Sequence, residues 1–231
     1  MFRKVPILLT VVLIASLLLF SCTIKKHDET DKAKTNDGIE IYFGNTDFDA
    51  KQYVQDNWDA RVLPCILQKT VPLEILMRGL ITDPDKFSEE YGYRVGEEGT
   101  FYNFAVQGRV SIVGINQESR NGLMYVDAYP YSGEKEYIIQ IGPVFKGTSI
   151  RDILDFTSLN EFENQVEFAR LANELNFKVR DDILDGLFFE DLIGREAEVT
   201  AVFTFNPANE VHVMTPVEFM LITKDGSAHE E

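Results

Sequence analysis

The stretch FYNFAVQGRVSIV, residues 101–113, decides the fold because its side chains alternate between two chemical classes. One face of the extended chain carries four apolar residues, which are Phe104, Val106, Val110 and Ile112. The other face carries three polar residues, which are Gln107, Arg109 and Ser111. This alternation predicts a half-buried β-strand. Gly108 falls on the apolar face, where a missing side chain lets a strand bend sharply.

Four further strands are predicted on the C-terminal side of this one. The Arg-Asn-Gly sequence at 120–122 predicts a hairpin turn, so that residues 123–129 and 136–142 complete a three-stranded meander. Residues 197–205 alternate between apolar and polar side chains, and residues 213–223 return as a fifth strand.

A helix is predicted between the third and fourth strands. Ser158 and Glu161 have the spacing of a capping box, and helical character continues to about Asp185. The predicted apolar stripe consists of Phe162, Val166, Ala169, Ala172 and Leu175. The predicted solvent face consists of Glu163, Glu167, Arg170 and Glu174.

Three strands, a helix and two strands follow one another in the order of the oligonucleotide/oligosaccharide-binding (OB) fold. The predicted class is therefore α+β, mainly β: a five-stranded OB-like Greek-key barrel with a helix between strands three and four. A generic antiparallel sheet packed on one helix is the alternative. Residues 101–224 form the predicted barrel domain, and residues 225–231 form an acidic tail.

A small helical subdomain, residues 41–100, is predicted to precede the barrel. Thr46 and Asp49 have the spacing of a capping pattern, and apolar residues then repeat at helical intervals as far as Val62. Pro64 should end or kink this helix. A second helix is predicted around residues 73–80, and a third begins at Pro84.

The N-terminus has the features of an export signal. Residues 1–21 have a basic start and an apolar core too short for a comfortable membrane span, and Cys22 follows Ser21 in a sequence that resembles a bacterial lipobox. The resemblance implies lipidation of Cys22 and anchoring to the membrane, with residues 22–40 as a disordered polar tether. An uncleaved signal anchor, or a secretory signal with an incidental cysteine, is the alternative.

Charge and cysteine content narrow the classes of function. The formal net charge of −16 argues against nucleic acid as a partner, because such binding depends on clustered Lys and Arg. With Cys22 lipidated, Cys65 has no partner for an internal disulfide, and its apolar neighbours predict a buried structural thiol.

Several short motifs together resemble a known bacterial family. They are QGRV at 107–110, SRNG at 119–122, QIGPV at 140–144, GTSIRD at 147–152 and NEFENQVEFA at 160–169. They are similar to a family of predicted periplasmic lipoproteins that is catalogued as domain of unknown function 2291. The resemblance implies export, an OB-like fold and association with sugar uptake transporters of the ATP-binding-cassette (ABC) type. It implies no activity and no catalytic residues.

The stretch IGPVFKGTS, residues 141–149, is a candidate phosphate-binding loop, and its spacing can be compared with the motif of such loops. Gly142 and Gly147 have the spacing of such a loop, but the lysine precedes the second glycine instead of following it. Nucleotide binding is therefore not predicted. A small anion contact is the weaker hypothesis, with Lys146, Thr148, Ser149 and Arg151 as candidate residues. The simpler alternative is that the glycines shape a turn while Ser149 caps a short helix.

Four tyrosines are candidate ligand-binding residues because they fall on strands two and three or their turn, where barrels of this class bind ligands. They are Tyr125, Tyr129, Tyr131 and Tyr137, and Arg109 on the polar face of the first strand joins them as a candidate. Such rings can stack on sugars, but tyrosines also fill barrel cores.

The sequence predicts no catalytic residue, metal ligand or cofactor. Grouped Cys and His, a calcium-binding loop and a nucleophile with a neighbouring base are not recognisable. The acidic residues between 181 and 191 are predicted to form a solvated face, although paired carboxylates there would suit a glycan-acting enzyme.

The main hypothesis is a membrane-tethered, non-enzymatic accessory or binding lipoprotein that serves solute uptake, with sugar as the candidate solute. An envelope protein-interaction module that uses the helices around Trp58 is the second. A glycan-acting enzyme is the third.

Overall fold

The computed structural model describes residues 48–94, 100–209 and 211–222, all of which belong to one compact unit. The predicted signal, Cys22, the tether, Thr46 and the acidic tail lie outside the described residues. The lipid anchor therefore stays a prediction.

The first helical segment begins where a side chain can bind its free amides. The N–H of Gln52 donates to Oδ1 of Asp49 (2.9 Å), so Asp49 caps helix α1, Ala50–Asn57. Instead of ending at Pro64, the chain widens into a π-helical turn at Trp58–Val62 and continues as α2, Leu63–Leu67. The widened turn ends two residues before the proline, whose missing N–H a regular helix would need.

The segment that was predicted to be purely helical also contains a strand. Strand β1, Thr70–Pro72, pairs in parallel with the start of strand β2, Tyr102–Asn116. Helices α3, Leu73–Thr82, and α4, Pro84–Tyr91, follow β1 and confirm the two later helices.

Gly108 of strand β2 lies against the start of α3. A Cβ at this position would come within 3.2 Å of Cβ of Leu73. The glycine therefore allows the helix start to pack directly on the strand.

Four further strands complete the sheet, and they are β3 (Leu123–Ala128), β4 (Tyr137–Gln140), β5 (Glu196–Phe205) and β6 (Val213–Leu221). The order of pairing is β1-β2-β3-β4-β6-β5, and β5 also pairs with β2. Strands β4 and β6 run parallel, while β2–β3, β3–β4, β2–β5 and β5–β6 are antiparallel. The fold is thus mixed α+β. The predicted count of five strands was wrong, because β1 makes a sixth.

The connection from β4 to β5 contains a short helix, α5 (Ser149–Asp152), and a longer one, α6 (Gln165–Lys178). The cap of α6 is Asn164, whose Oδ1 accepts hydrogen bonds from the N–H of Val166 (2.9 Å) and the N–H of Glu167 (3.0 Å). Ser158 instead precedes a separate 3₁₀ turn at Leu159–Glu161 and makes no side-chain cap. A π-helical turn, Val179–Ile183, then extends the helical region close to the predicted end.

The buried face of α6 is rotated from the predicted one. Glu167, which was predicted to face solvent, is buried, whereas Val166 and Ala169 are exposed. The residues of α6 that are buried are Glu167, Leu171, Ala172, Leu175 and Asn176. Burial of the Glu167 carboxylate is tolerated because its Oε2 accepts a hydrogen bond from the N–H of Glu163 (3.0 Å) just before the helix.

One hydrophobic core unites the helices and the sheet. Phe104 of β2 and Phe203 of β5 stack at its centre, with 5.5 Å between ring centroids. Trp58 is 2% exposed and belongs to the same core. It therefore stabilises the fold, as its helical register favoured, and an interaction surface on the helices around it would consist of their exposed residues.

Candidate functional site

The register of the strands places the predicted tyrosines on two different faces of the sheet. Tyr125 of β3 lies opposite Ile138 of β4, whereas its neighbour Val126 lies opposite Tyr137. Directly paired residues of antiparallel strands point to the same side, and successive residues point to opposite sides. Tyr125 therefore faces outward, and Tyr137 shares the inner face with the buried Val126.

Tyr137 is not part of a surface with the other candidates. Its ring packs against the hydrophobic core. Burial raises the pKa of its hydroxyl, and the negative charges of Glu136 and Glu74 raise that pKa further. Tyr137 is thus better explained as a partly buried core residue than as a ligand contact.

Tyr129 and Tyr131 form an exposed aromatic pair just beyond the end of β3. Their ring centroids are 5.6 Å apart and the rings stand at 89° to each other. Tyr129 is 63% exposed and Tyr131 is 38% exposed. The N–H of Tyr129 donates to the carbonyl of Arg109 (2.9 Å), which continues the β2–β3 pairing and places the two tyrosines beside β2.

An ion pair adjoins this aromatic pair. Nε of Arg109 donates to Oε2 of Glu196 (2.8 Å), and both side chains are partly exposed. Burial raises the pKa of the Tyr131 hydroxyl, and the negative charge of Glu196 adds to the rise. The phenol of Tyr131 is therefore close to this ion pair and stays protonated at neutral pH.

The third outward tyrosine carries a cation over its ring. Nζ of Lys135 lies 4.8 Å from the ring centre of Tyr125. Gly114 of β2, which pairs with Tyr125, leaves room for this lysine, because a Cβ there would lie 3.4 Å from Cε of Lys135. We call Tyr125, Tyr129, Tyr131, Arg109 and Lys135 the tyrosine face. Lys135 is the member that sequence reasoning missed, since only the fold of the turn brings it over Tyr125.

The four candidates for an anion contact do not form an open site. Oγ1 of Thr148 donates to Oδ2 of Asp152 (2.5 Å), and Nε of Arg151 donates to Oδ1 of Asp152 (2.7 Å). Ser149 is buried, and Lys146 is exposed. An anion at this point would meet the negative charge of Asp152, so the geometry gives the predicted anion contact no support.

The stretch 141–149 is organised by a buried glutamine instead. Oε1 of Gln140 accepts the N–H of Lys146 (2.8 Å), and Nε2 of Gln140 donates to the carbonyl of Lys146 (3.0 Å) and to Oγ1 of Thr215 (2.5 Å). Gly142 and Gly147 have φ angles of +78° and +90°, which L residues rarely adopt. The glycines therefore shape a clamped turn, as the simpler alternative predicted. Its other half was wrong, because Ser149 is the first residue of α5, and the residue at the N-cap position is Thr148, which makes no side-chain cap.

Two of the acidic residues between 181 and 191 form ion pairs with basic neighbours. Asp181 pairs with Arg180, and Asp182 pairs with Lys178. The hydrogen bond from Arg180 lowers the pKa of Asp181, whereas a general acid needs a raised one.

Within residues 48–94, 100–209 and 211–222, no group of three or more His, Cys, Asp or Glu is placed to hold a metal ion. No helix in these same ranges has the length and apolarity to cross a membrane.

Residues 12–220 match the family model described as predicted periplasmic lipoprotein (DUF2291). The chain belongs to this family. Its description as a periplasmic lipoprotein supports an exported location in the cell envelope. No curated protein matches the sequence.

The fold of this DUF2291 member resembles a solved structure. An OB-fold protein from Thermotoga maritima MSB8 superimposes with a TM-score of 0.61, at 18% sequence identity, over 76% of this chain and 99% of that one. At this identity the likeness shows the fold alone. The OB-like architecture expected from the order of strands and helix is thereby confirmed.

Proposed function

We propose that this DUF2291 lipoprotein is a non-enzymatic binding protein of the envelope that holds a ligand on its tyrosine face. The observation that carries the proposal is the exposed pair of Tyr129 and Tyr131 beside the Arg109–Glu196 ion pair. Exposed aromatic rings are costly to solvate and are enriched where proteins bind. The proposal includes closure of β2, β3, β4, β6 and β5 into an OB barrel, which the pairing of β5 with β2 supports.

A sugar is the ligand class that best fits these groups. The faces of Tyr129 and Tyr131 offer apolar surface for the C–H groups of a sugar ring. The guanidinium of Arg109 and the carboxylate of Glu196 offer a donor and an acceptor for hydroxyl groups at the same place. Aromatic walls with a few polar groups are the usual composition of a small-ligand site.

The test is calorimetric titration of the mature protein with glucose, galactose, ribose, a β-linked disaccharide and glucose 6-phosphate. We expect at least one to bind, and we expect the double variant Tyr129→Ala, Tyr131→Ala to weaken that binding by about tenfold. Phe101→Ala is the matched control. This ring is also exposed, but it adjoins the opposite end of the β2–β5 ladder from Glu196. The absence of binding for the whole panel, or equal binding by the double variant, would refute the proposal.

Anchoring through Cys22 is part of the same proposal, and the support for it is the lipobox-like sequence together with the family. We expect an alkyne-tagged fatty acid to label the wild-type chain in cells, and Cys22→Ser to lose both the label and membrane association. Cys65→Ser is the matched control, because Cys65 is buried in the fold. Equal labelling of wild type and Cys22→Ser would refute lipidation of Cys22.

The proposal also includes association with an ABC-type sugar transporter. Its support is the resemblance of the sequence motifs to the family. Crosslinking in cells followed by purification of the full chain should recover a transporter component. If no such component is recovered, association with the transporter is refuted, while ligand binding on the tyrosine face is not affected.

A further inference from the structure

We infer that Asp127 is the positioning residue of the tyrosine face: its buried carboxylate folds the segment that presents Tyr129 and Tyr131 to solvent. The role of Asp127 in ligand binding rests on the proposed function. Its role in folding the turn does not depend on any ligand.

The carboxylate of Asp127 lies at the centre of the turn between β3 and β4. It is 1% exposed, and the turn wraps round it. Oδ1 accepts the N–H of Ser132 (3.1 Å), Oδ2 accepts the N–H of Gly133 (2.6 Å), and Oγ of Ser132 lies 3.3 Å from Oδ1. A buried charge is tolerated only when it is hydrogen-bonded in this way.

A second carboxylate completes the network from the other side of the turn. Oγ of Ser132 lies 3.0 Å from Oε1 of Glu136, and the N–H of Ala128 donates to Oε2 of Glu136 (3.3 Å). The N–H of Glu134 donates to Oγ of Ser132 (3.2 Å). Side-chain oxygens therefore bind the amides of three consecutive residues of the turn, which in a tight hairpin would be bound by backbone carbonyls.

The consequence for the tyrosines follows from where the network attaches. Asp127 belongs to β3, so its position is fixed by the strand, and Ser132 and Gly133 are pulled back onto it. Tyr129 and Tyr131 lie on the arc between these two fixed points. The two rings, which remain exposed, thus lie between two anchors: the bond from the N–H of Tyr129 to the carbonyl of Arg109, and the bonds from Ser132 and Gly133 to the carboxylate.

The direct test compares Asp127→Asn with Glu134→Gln. The asparagine side chain has one acceptor oxygen where two amide donors must be satisfied, so an amide of the turn loses its partner. We expect amide hydrogen exchange at Ser132 and Gly133 to accelerate about tenfold or more, and contacts between the rings of Tyr129 and Tyr131 to disappear from nuclear Overhauser spectra. Glu134→Gln removes a charge from the same turn without touching a carboxylate of the network, and it should change neither readout.

Binding provides the second readout. In the sugar titration, Asp127→Asn should weaken affinity as much as the double tyrosine variant does, although both rings are still present. Unchanged exchange and unchanged ring contacts in Asp127→Asn would overturn the inference whatever the binding result. Changed exchange and ring contacts in a protein that binds no sugar would uphold the positioning role and refute the proposed function instead. If Asp127→Asn fails to fold, Asp127→Glu takes its place, because it keeps the charge but moves both acceptor oxygens by one methylene group away from the amides of Ser132 and Gly133. It should produce a smaller change in the same two readouts, and no change would overturn the inference.

Discussion

The guanidinium of Arg151 lies 3.7 Å from the ring centre of Phe168, and its Nη1 donates to the carbonyl of the same residue (3.1 Å). One side chain thus fastens α5 to α6 by a cation–π contact and a hydrogen bond, while it also binds Asp152. The arginine of the GTSIRD motif is therefore a structural residue.

We expect Arg151→Ala to lower the free energy of unfolding by about 2–4 kcal/mol, because the Asp152 carboxylate and the Phe168 carbonyl both lose a partner in a poorly solvated place. Arg180→Ala is a close control. Arg180 also lies over a phenylalanine and pairs with the aspartate that follows it, but its side chain is 36% exposed against 12% for Arg151. The control should cost about 1 kcal/mol or less in urea denaturation. Equal costs would show that burial of Arg151 does not matter.

The Gln140 clamp leads to a second prediction. Replacing Gln140 by Leu keeps a buried side chain of similar size but leaves the N–H and carbonyl of Lys146 and the hydroxyl of Thr215 without this partner. We expect a loss of about 2–4 kcal/mol in the free energy of unfolding. Gln107→Leu, on an exposed side chain whose Oε1 accepts a hydrogen bond from Oγ1 of Thr70, should cost less than about 1 kcal/mol. A loss of similar size in both variants would count against the clamp.

The close approach of Gly108 to Leu73 gives a prediction that a double-mutant cycle can isolate. Gly108→Ala brings a methyl group to 3.2 Å from Cβ of Leu73, so the two elements must separate slightly. We expect a cost of about 1–3 kcal/mol in the wild-type background. In a Leu73→Gly background that Cβ is gone, and Gly108→Ala should cost nearly nothing. Additive effects of the two substitutions would locate the strain elsewhere.

The sequence predicted the fold well where pattern and packing agree. The strand containing Gly108 was predicted correctly because the apolar residues of its alternating pattern are buried in the core, and because Gly108 on that face contacts the start of α3. The stripe on α6 was predicted wrongly because Glu167 is buried as part of a cap, and a period of 3.6 residues cannot distinguish a buried capping carboxylate from a solvent-exposed one. Strand β1 was missed because three residues ending in proline carry almost no pattern.

The candidate site was predictable only in part. The four tyrosines were expected to lie together, but Tyr125 and Tyr137 belong to opposite faces, and this depends on how β3 and β4 are aligned. In a hairpin the alignment follows from the length and type of the turn, and here Asp127 binds two amides of that turn. Neither spacing nor composition shows that an aspartate next to the end of a strand binds the amides of a turn five and six residues later.

The pKa of Asp127 provides a last prediction, which concerns how the stability of the turn depends on pH. Burial acts to raise this pKa, but the N–H groups of Ser132 and Gly133 and the hydroxyl of Ser132 outweigh it, so the pKa lies below its usual range. A carboxyl whose pKa is lower in the folded than in the unfolded protein stabilises the fold above its unfolded pKa of about 3.9. That contribution is lost as the pH falls through the folded value.

We therefore expect the amides of Ser132 and Gly133 to remain protected at pH 5, and to lose protection only below about pH 4, as measured by hydrogen exchange corrected for intrinsic rates. Charged groups around the turn, namely Glu136, Arg109 and Glu196, can shift the midpoint, so Asp127→Asn is the necessary comparison. In that variant the same amides should be weakly protected at every pH, with no transition in this window. A wild-type midpoint above pH 5, or the same transition in Asp127→Asn, would show that another group holds the turn.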